Sequence, residues 1–189
     1  MKRIISVLLA IIMLFGIIPL NSLTAFAAND AIVSVESVSA VVGSTVDVVI
    51  NISNNPGIAS MGFSMSFDEN LTLVAATNGA AFSELAFTPP AQLKKGGTIK
   101  NSCKFSWVSS DNATADGAIL KLKFKVDENT NLNKVCPITI TFSDGDVNNK
   151  DRNPVSVNVK NGAVTVIDYI PGDVDGSGII NMFDVLTLC

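Results

Sequence analysis

From residue 31 to residue 168, apolar and polar side chains alternate almost without interruption. A repeat of two puts every second side chain on the same side of an extended chain, so this region reads as half-buried strands rather than helices. In "TVDVVINIS" the residues Val46, Val48, Ile50 and Ile52 share one face. In "IASMGFSMSF" the inward set is Ala59, Met61, Phe63, Met65 and Phe67, with Ser60, Gly62, Ser64 and Ser66 opposite. "AILKLKFKV" sets Leu120, Leu122, Phe124 and Val126 against Lys121, Lys123 and Lys125. "PITITF" and "TIKNSCKFSW" continue the pattern with Ile138, Ile140 and Phe142, and with Ile99, Cys103, Phe105 and Trp107. With "AIVSVESV", "LTLVAAT" and "GAVTVI" the count reaches eight or nine short strands.

Turn-forming pairs separate the runs: Asn54-Asn55-Pro56-Gly57, Pro89-Pro90, Gly96-Gly97, Asp116-Gly117, Asp144-Gly145 and Asn161-Gly162. Strands with one polar face imply sheets with one wet side, hence an all-β antiparallel sandwich. The stretch "GAAFSELAFTPPAQ" fits either a short strand or a helical turn.

The first residues, "MKRIISVLLAIIMLFGIIPLNSLTAFAAND", have the layout of an export signal. Lys2 and Arg3 precede an apolar run from Ile4 to Leu20, and Ala25-Phe26-Ala27 supplies a small-x-small cleavage site. An uncleaved membrane anchor is the competing reading; Pro19 and the small-residue site favour cleavage after Ala27 and a secreted product. Removing 27 of 189 residues leaves 162, enough for one domain and a small appendage. Lys2 and Arg3 leave with the signal, so 13 basic residues become 11 against 17 acidic, a net charge of −6.

An acidic exported chain lacks the basic footprint that nucleic acid requires. There is no histidine, which removes His-based triads, His general acid–base chemistry and ordinary zinc sites. Cys103, Cys136 and Cys189 are too few and too widely spaced for a disulfide scaffold. Cys103 and Cys136 share parity with core residues, which fits buried free thiols; a bridge between them is the alternative.

Near the C-terminus, "GDVDGSGIINMFDVLTLC" places Asp173, Asp175, Ser177, Ile179, Asn181 and Asp184 at positions 1, 3, 5, 7, 9 and 12 of a loop, with Gly178 at 6. This is the spacing of an EF-hand, in which side-chain oxygens and one backbone carbonyl give Ca²⁺ its oxygen ligands. Ile180 and the apolar Val185, Leu186 and Leu188 supply packing for the loop and the start of a helix. A second acidic stretch, "SDGDVNNKDRN", with Asp144, Asp146 and Asp151, puts Asn149 and Val155 where the glycine and the last ligand belong, so it reads as a solvated turn.

Together the two parts resemble the cellulosome pair, a cohesin module followed by the beginning of a dockerin. The cohesin resemblance spans residues 29 to 168 and rests on "VGSTVDVVINISNNPGIASMGFSMSFDENLTLV", "DGAILKLKFKV" and the closing "VKNGAVTV". Residues 169–171 form a short junction, and residues 172–189 are similar to the first half of a dockerin, which the family builds from two calcium-loop repeats. The resemblance implies a nine-stranded jelly-roll sandwich that binds a dockerin through one sheet face, formed by the third, sixth and eighth strands. Its outward residues would be Ser60, Gly62, Ser64 and Ser66, then Lys100, Ser102, Lys104 and Ser106, then Thr139 and Thr141. Many relatives carry Asn and Asp where Ser60 and Gly62 stand, which leaves the identity of the partner open.

The implied protein is a non-catalytic adaptor of an extracellular polysaccharide-degrading complex, held at the cell surface through a scaffold or released. Its cohesin would receive dockerin-bearing enzymes, and a complete dockerin would plug into a cohesin of another scaffold protein. With one repeat, ending at Cys189, the tail is expected to bind Ca²⁺ weakly and not to dock, as the start of a helix cut mid-way.

Two other functions compete. A carbohydrate-binding module would associate with polysaccharide, through exposed aromatics in the usual case; here the chain offers Trp107, of core parity, and Tyr169 in the junction. A glycosidase needs a carboxylate pair flanking a cleft, and Glu36, Asp47, Asp68, Glu69, Glu84, Asp111 and Asp116 form no such constellation in the sequence.

Overall fold

A computed structural model describes residues 30–168. The export signal, Tyr169 and the calcium loop Asp173–Asp184 lie outside the described residues. In chain order the first strands are β1 (Ala31–Val35), β2 (Val38–Val41), β3 (Thr45–Ser53), β4 (Ile58–Phe67), β5 (Leu71–Asn78) and β6 (Ala86–Thr88). They are followed by β7 (Ile99–Lys100), β8 (Ser102–Ala113), β9 (Gly117–Val126), β10 (Val135–Thr141), β11 (Val147–Asn148), β12 (Val157–Lys160) and β13 (Gly162–Ile167). One sheet has the order β12-β1-β3-β9-β5-β7; the other runs β2-β13-β10-β4-β8-β6, with β11 also paired to β4.

Strand residues of one parity point between the sheets. Val48, Ile50, Leu120, Leu122 and Phe124 enter the core from the first sheet; Met61, Phe63, Met65, Phe105, Trp107, Ile138 and Ile140 enter it from the second. Each large side chain buried in this way contributes roughly 1.5–3 kcal/mol relative to exposure. The result is an all-β sandwich, as the alternation predicts, but it is not antiparallel throughout: β1 pairs in parallel with β12, and β2 with β13.

Thirteen strands stand among the described residues where the pattern predicts eight or nine: two period-two runs are divided where the chain changes sheet, and β6, β11 and β12 are short strands outside the runs. "AIVSVESV" becomes β1 in one sheet and β2 in the other. "TIKNSCKFSW" becomes β7 and β8, divided at Asn101, whose φ of 69° turns the chain through the left-handed region that Asn tolerates. Its carbonyl accepts the Phe67 N–H at 2.8 Å, which fixes the corner. The crossing between β12 and β13 brings Gly162 so near the β1 end that an added Cβ would lie 2.6 Å from the Val35 and Glu36 carbonyl oxygens. Glycine is required there by contact.

The ambiguous stretch after β5 contains both predicted elements: a 3-10 turn at Ala80–Phe82 and the strand β6, followed by a short helix α1 (Ala91–Lys94). Phe82 is buried with its ring edge-on to Trp107, the centroids 5.9 Å apart. Cys103 and Cys136 are free thiols, so the bridge is not formed. Cys136 is buried and Cys103 is half-buried.

Candidate functional site

The outer face of the second sheet is a grid set by strand register. Along β4, Ser60, Gly62, Ser64 and Ser66 point away from the core, alternating with buried Met61, Phe63 and Met65. Ser66 lies between Thr139 of β10 and Ser102 of β8. Ser64 lies between Thr141 and Lys104. Gly62 is opposite Ser106, which in turn faces Thr88 of β6. Ser60 is opposite Val108 and Asn148, and Val108 faces Ala86. From Ser60 to Ser66 the grid is about 20 Å long, the span of a helix of some thirteen residues.

Nine of the ten residues expected on a partner-binding face are therefore brought together. Lys100 is not among them: it lies in β7, opposite Thr72 of β5, on the other sheet. The reason is the Asn101 corner. Both sheets turn their apolar residues inward, so Ile99 and Cys103 keep one parity although they belong to different sheets.

The structure adds residues that alternation did not single out. Val108 is 57% exposed and extends the outward parity of β8 beyond Ser106; that parity is the signal by which it could have been found. The walls at Pro89, Pro90, Ser143 and Asp146 belong to loops, where no periodicity marks a face. Between Thr141, opposite Ser64, and Val147, opposite Met61, the chain has five residues where β4 has only Gly62 and Phe63. The excess is thrown outward as a loop. Its far end is tied to the sheet by the Gly62 N–H donating to the Asp146 carbonyl at 2.9 Å. Within it the Asp146 carboxylate accepts the Ser143 N–H at 2.6 Å.

This loop and the Thr88-Pro89-Pro90 segment flank a groove of about 400 Å³ whose floor is Gly62, Ser64 and Ser106, with Lys104 alongside.

In the four rows of the grid Lys104 is the one charged side chain; most of the others end in hydroxyls. Hydroxyls donate and accept without the desolvation cost of an ion, which suits a surface that has to be covered and uncovered. The first sheet is different. Its outer face carries Lys121, Lys123 and Lys125, with Lys123 3.3 Å from Asp47, Lys125 3.2 Å from Glu128 and Lys100 3.7 Å from Asp127. That is a solvated, self-paired charged surface.

Two of the carboxylates that a glycosidase could draw on, Asp116 and Asp68, are held in other work. Asp116 accepts the backbone N–H groups of Asn54 and Asn55, pinning the β3–β4 turn. Burial pushes the Asp68 carboxyl up, but hydrogen bonds from the Asn70 side chain and N–H and from Lys134, at 3.2 Å, outweigh it and hold it below its ordinary value. Burial pushes the Cys103 thiol up to about 12; burial and the Asp68 charge push Cys136 up to about 11. Neither is an activated nucleophile. No cluster of three or more potential metal-ligating Cys, Asp or Glu side chains occurs among the described residues. Trp107 is 2% exposed and its indole N–H donates to Asn78 at 2.8 Å, so it is a core residue and presents no platform to a sugar ring.

The cohesin-domain family matches residues 32–166. No curated protein matches the chain. Among solved structures, a non-cellulosomal cohesin from the archaeon Archaeoglobus fulgidus is similar at a TM-score of 0.62 and 20% identity, over 73% of this chain and 91% of that one. The sixth cohesin of scaffoldin B from Acetivibrio cellulolyticus, solved in complex with a dockerin, is similar at a TM-score of 0.60 and 17% identity, over 72% and 99%. A cohesin–dockerin complex from Clostridium thermocellum gives 0.60 and 16%, over 74% and 100%. At these identities the solved structures speak for the fold, and the family match covers nearly all of the sandwich. The chain belongs to the cohesin family, whose modules are non-catalytic scaffold domains.

Proposed function

We propose that the sandwich is the receptor half of a cohesin–dockerin pair, and that it binds the dockerin of a polysaccharide-degrading enzyme through the outer face of the second sheet. The observation that carries this is the grid itself: hydroxyl-rich, about one short helix long, and bearing one charged side chain. Helices docked on such a face exchange water hydrogen bonds for protein ones without stranding charges. Solved relatives in complex with dockerins support the class of partner.

On this reading the protein is an exported adaptor contributing to polysaccharide breakdown, its export resting on the Ala27 cleavage site. The oxygen-only set Asp173, Asp175, Ser177, Ile179, Asn181 and Asp184 would hold Ca²⁺ in the dockerin-like segment, whose complete form would engage a cohesin of another scaffold protein.

Calorimetry tests the reading: the sandwich, residues 29–168, is titrated with a panel of intact dockerins in Ca²⁺ and then in excess chelator. Tight binding to at least one, lost with chelator, is expected, because the metal belongs to the dockerin. Silence across the panel, with retention on insoluble polysaccharide, would replace this reading with a carbohydrate-binding one.

A further inference from the structure

The grid is not flat everywhere: at Gly62 it has a hole. Ser60, Ser64 and Ser66 keep side chains at the other three outward positions of β4, while Gly62 presents only backbone. On one side the chain rises through Pro89 and Pro90, and on the other the loop ending at Asp146 stands above the strand. A groove of about 400 Å³ is at the lower end of the sizes that hold a small ligand, roughly 300–1,000 Å³, and so suffices for one large side chain of a docked helix. The hole is not a packing necessity of the fold. A Cβ at position 62 would find its nearest neighbour, the Phe105 carbonyl oxygen, at 3.8 Å, an ordinary contact. Gly62 does not have a left-handed φ either, so no backbone demand keeps a glycine there.

We infer that Gly62 is a specificity-determining position: the hole above it receives one large, uncharged side chain from the partner's helix. The inference rests on the dockerin reading above and adds what that partner must carry. The lining selects the chemistry. Gly62 and the prolines offer apolar contact to the body of the side chain, while Lys104 and Asp146 place one cation and one anion at the walls. A charged tip would be attracted by one wall and repelled by the other, which leaves little net gain to offset the desolvation of an ion; a neutral body such as leucine, methionine, phenylalanine or tyrosine carries no such cost. Val108 and Ala86, exposed one row beyond, continue the apolar surface, whereas Ser64, Ser66, Thr139 and Thr141 continue the polar one. A helix lying along β4 therefore has a defined direction, with its apolar part toward Val108 and its polar part toward Ser66.

The test uses a dockerin that binds the wild-type chain. Gly62→Leu fills the hole, and affinity is expected to fall at least about 30-fold, the scale of a hot-spot loss. The thermal unfolding midpoint of the variant should not fall, since the new side chain points to solvent. Alanine substitution of each large uncharged helix residue of the dockerin then identifies the knob. One of these truncated dockerins should bind Gly62→Leu better than the full-length side chain does, recovering most of the lost affinity. Wild-type affinity in Gly62→Leu, or a loss that no truncation relieves, would overturn the hole while leaving the dockerin reading intact. A wild-type chain that binds no dockerin would remove both.

Discussion

Asn78 Oδ1 accepts the Trp107 indole N–H at 2.8 Å, and its amide donates to the Phe82 carbonyl at 2.7 Å. One half-buried amide thus satisfies the polar atom of the largest core side chain and closes the 3-10 turn against it. Replacing Asn78 by Leu keeps the volume and removes both bonds, leaving a buried N–H without an acceptor. The expected loss is about 1–3 kcal/mol, read as a lower denaturant midpoint at unchanged slope. An unchanged midpoint would mean that water or another group replaces the amide. At this scale parity in the sequence was enough to bury Trp107, Phe105 and Cys136. It did not reveal Asn78, because a polar residue closing a strand looks like any other solvated position until its partner is known.

The elements that carry the face were legible, and their corners were not. Alternation identified β4, β8, β9 and β10 because each has one face on the core. It assigned Lys100 to the wrong sheet because a sandwich has two inward faces of equal apolarity. A chain that crosses from one to the other through a single left-handed residue, Asn101, never breaks its period. Within the acidic stretch read as a solvated turn, Asp144-Gly145 is one, but Val147 and Asn148 form β11 with Val147 buried. The height of the loop beside Gly62 follows from that register, which a single strand does not encode.

A second junction between elements makes a pH-dependent prediction. Asp68, just after β4, is bonded to Asn70 before β5 and to Lys134 before β10. Its folded pKa is depressed, so its contribution is present above the ordinary carboxylate value, about 3.9, and is lost as pH falls through the folded value. Urea unfolding between pH 7 and pH 3 should show a steeper acid limb for wild type than for Asp68→Asn. Parallel limbs would remove Asp68 from the account.

At the scale of the molecule, the two sheets give the protein two unlike outer surfaces on one core. The first is lysine-rich and paired to its own carboxylates; the second is hydroxyl-rich, grooved and almost uncharged. Both chain ends of the sandwich are fastened into it: β1 pairs in parallel with β12 and β2 with β13. A receptor built this way has one face to offer and a rigid support behind it, which is what a non-catalytic scaffold domain requires. The family was legible from strand-and-turn segments spread along the chain. The particular partner was not, since it is written in the few outward residues, such as Ser60 and Gly62, where this chain departs from many of its relatives.

The most direct test of the central claim is to map the bound face by amide chemical-shift changes on adding a Ca²⁺-loaded dockerin. The account predicts changes concentrated at Gly62, Ser64, Ser66, Ser102, Lys104, Ser106 and Thr139, with Lys100, Lys121 and Lys123 unmoved. Changes centred on the lysine-rich sheet instead would contradict it.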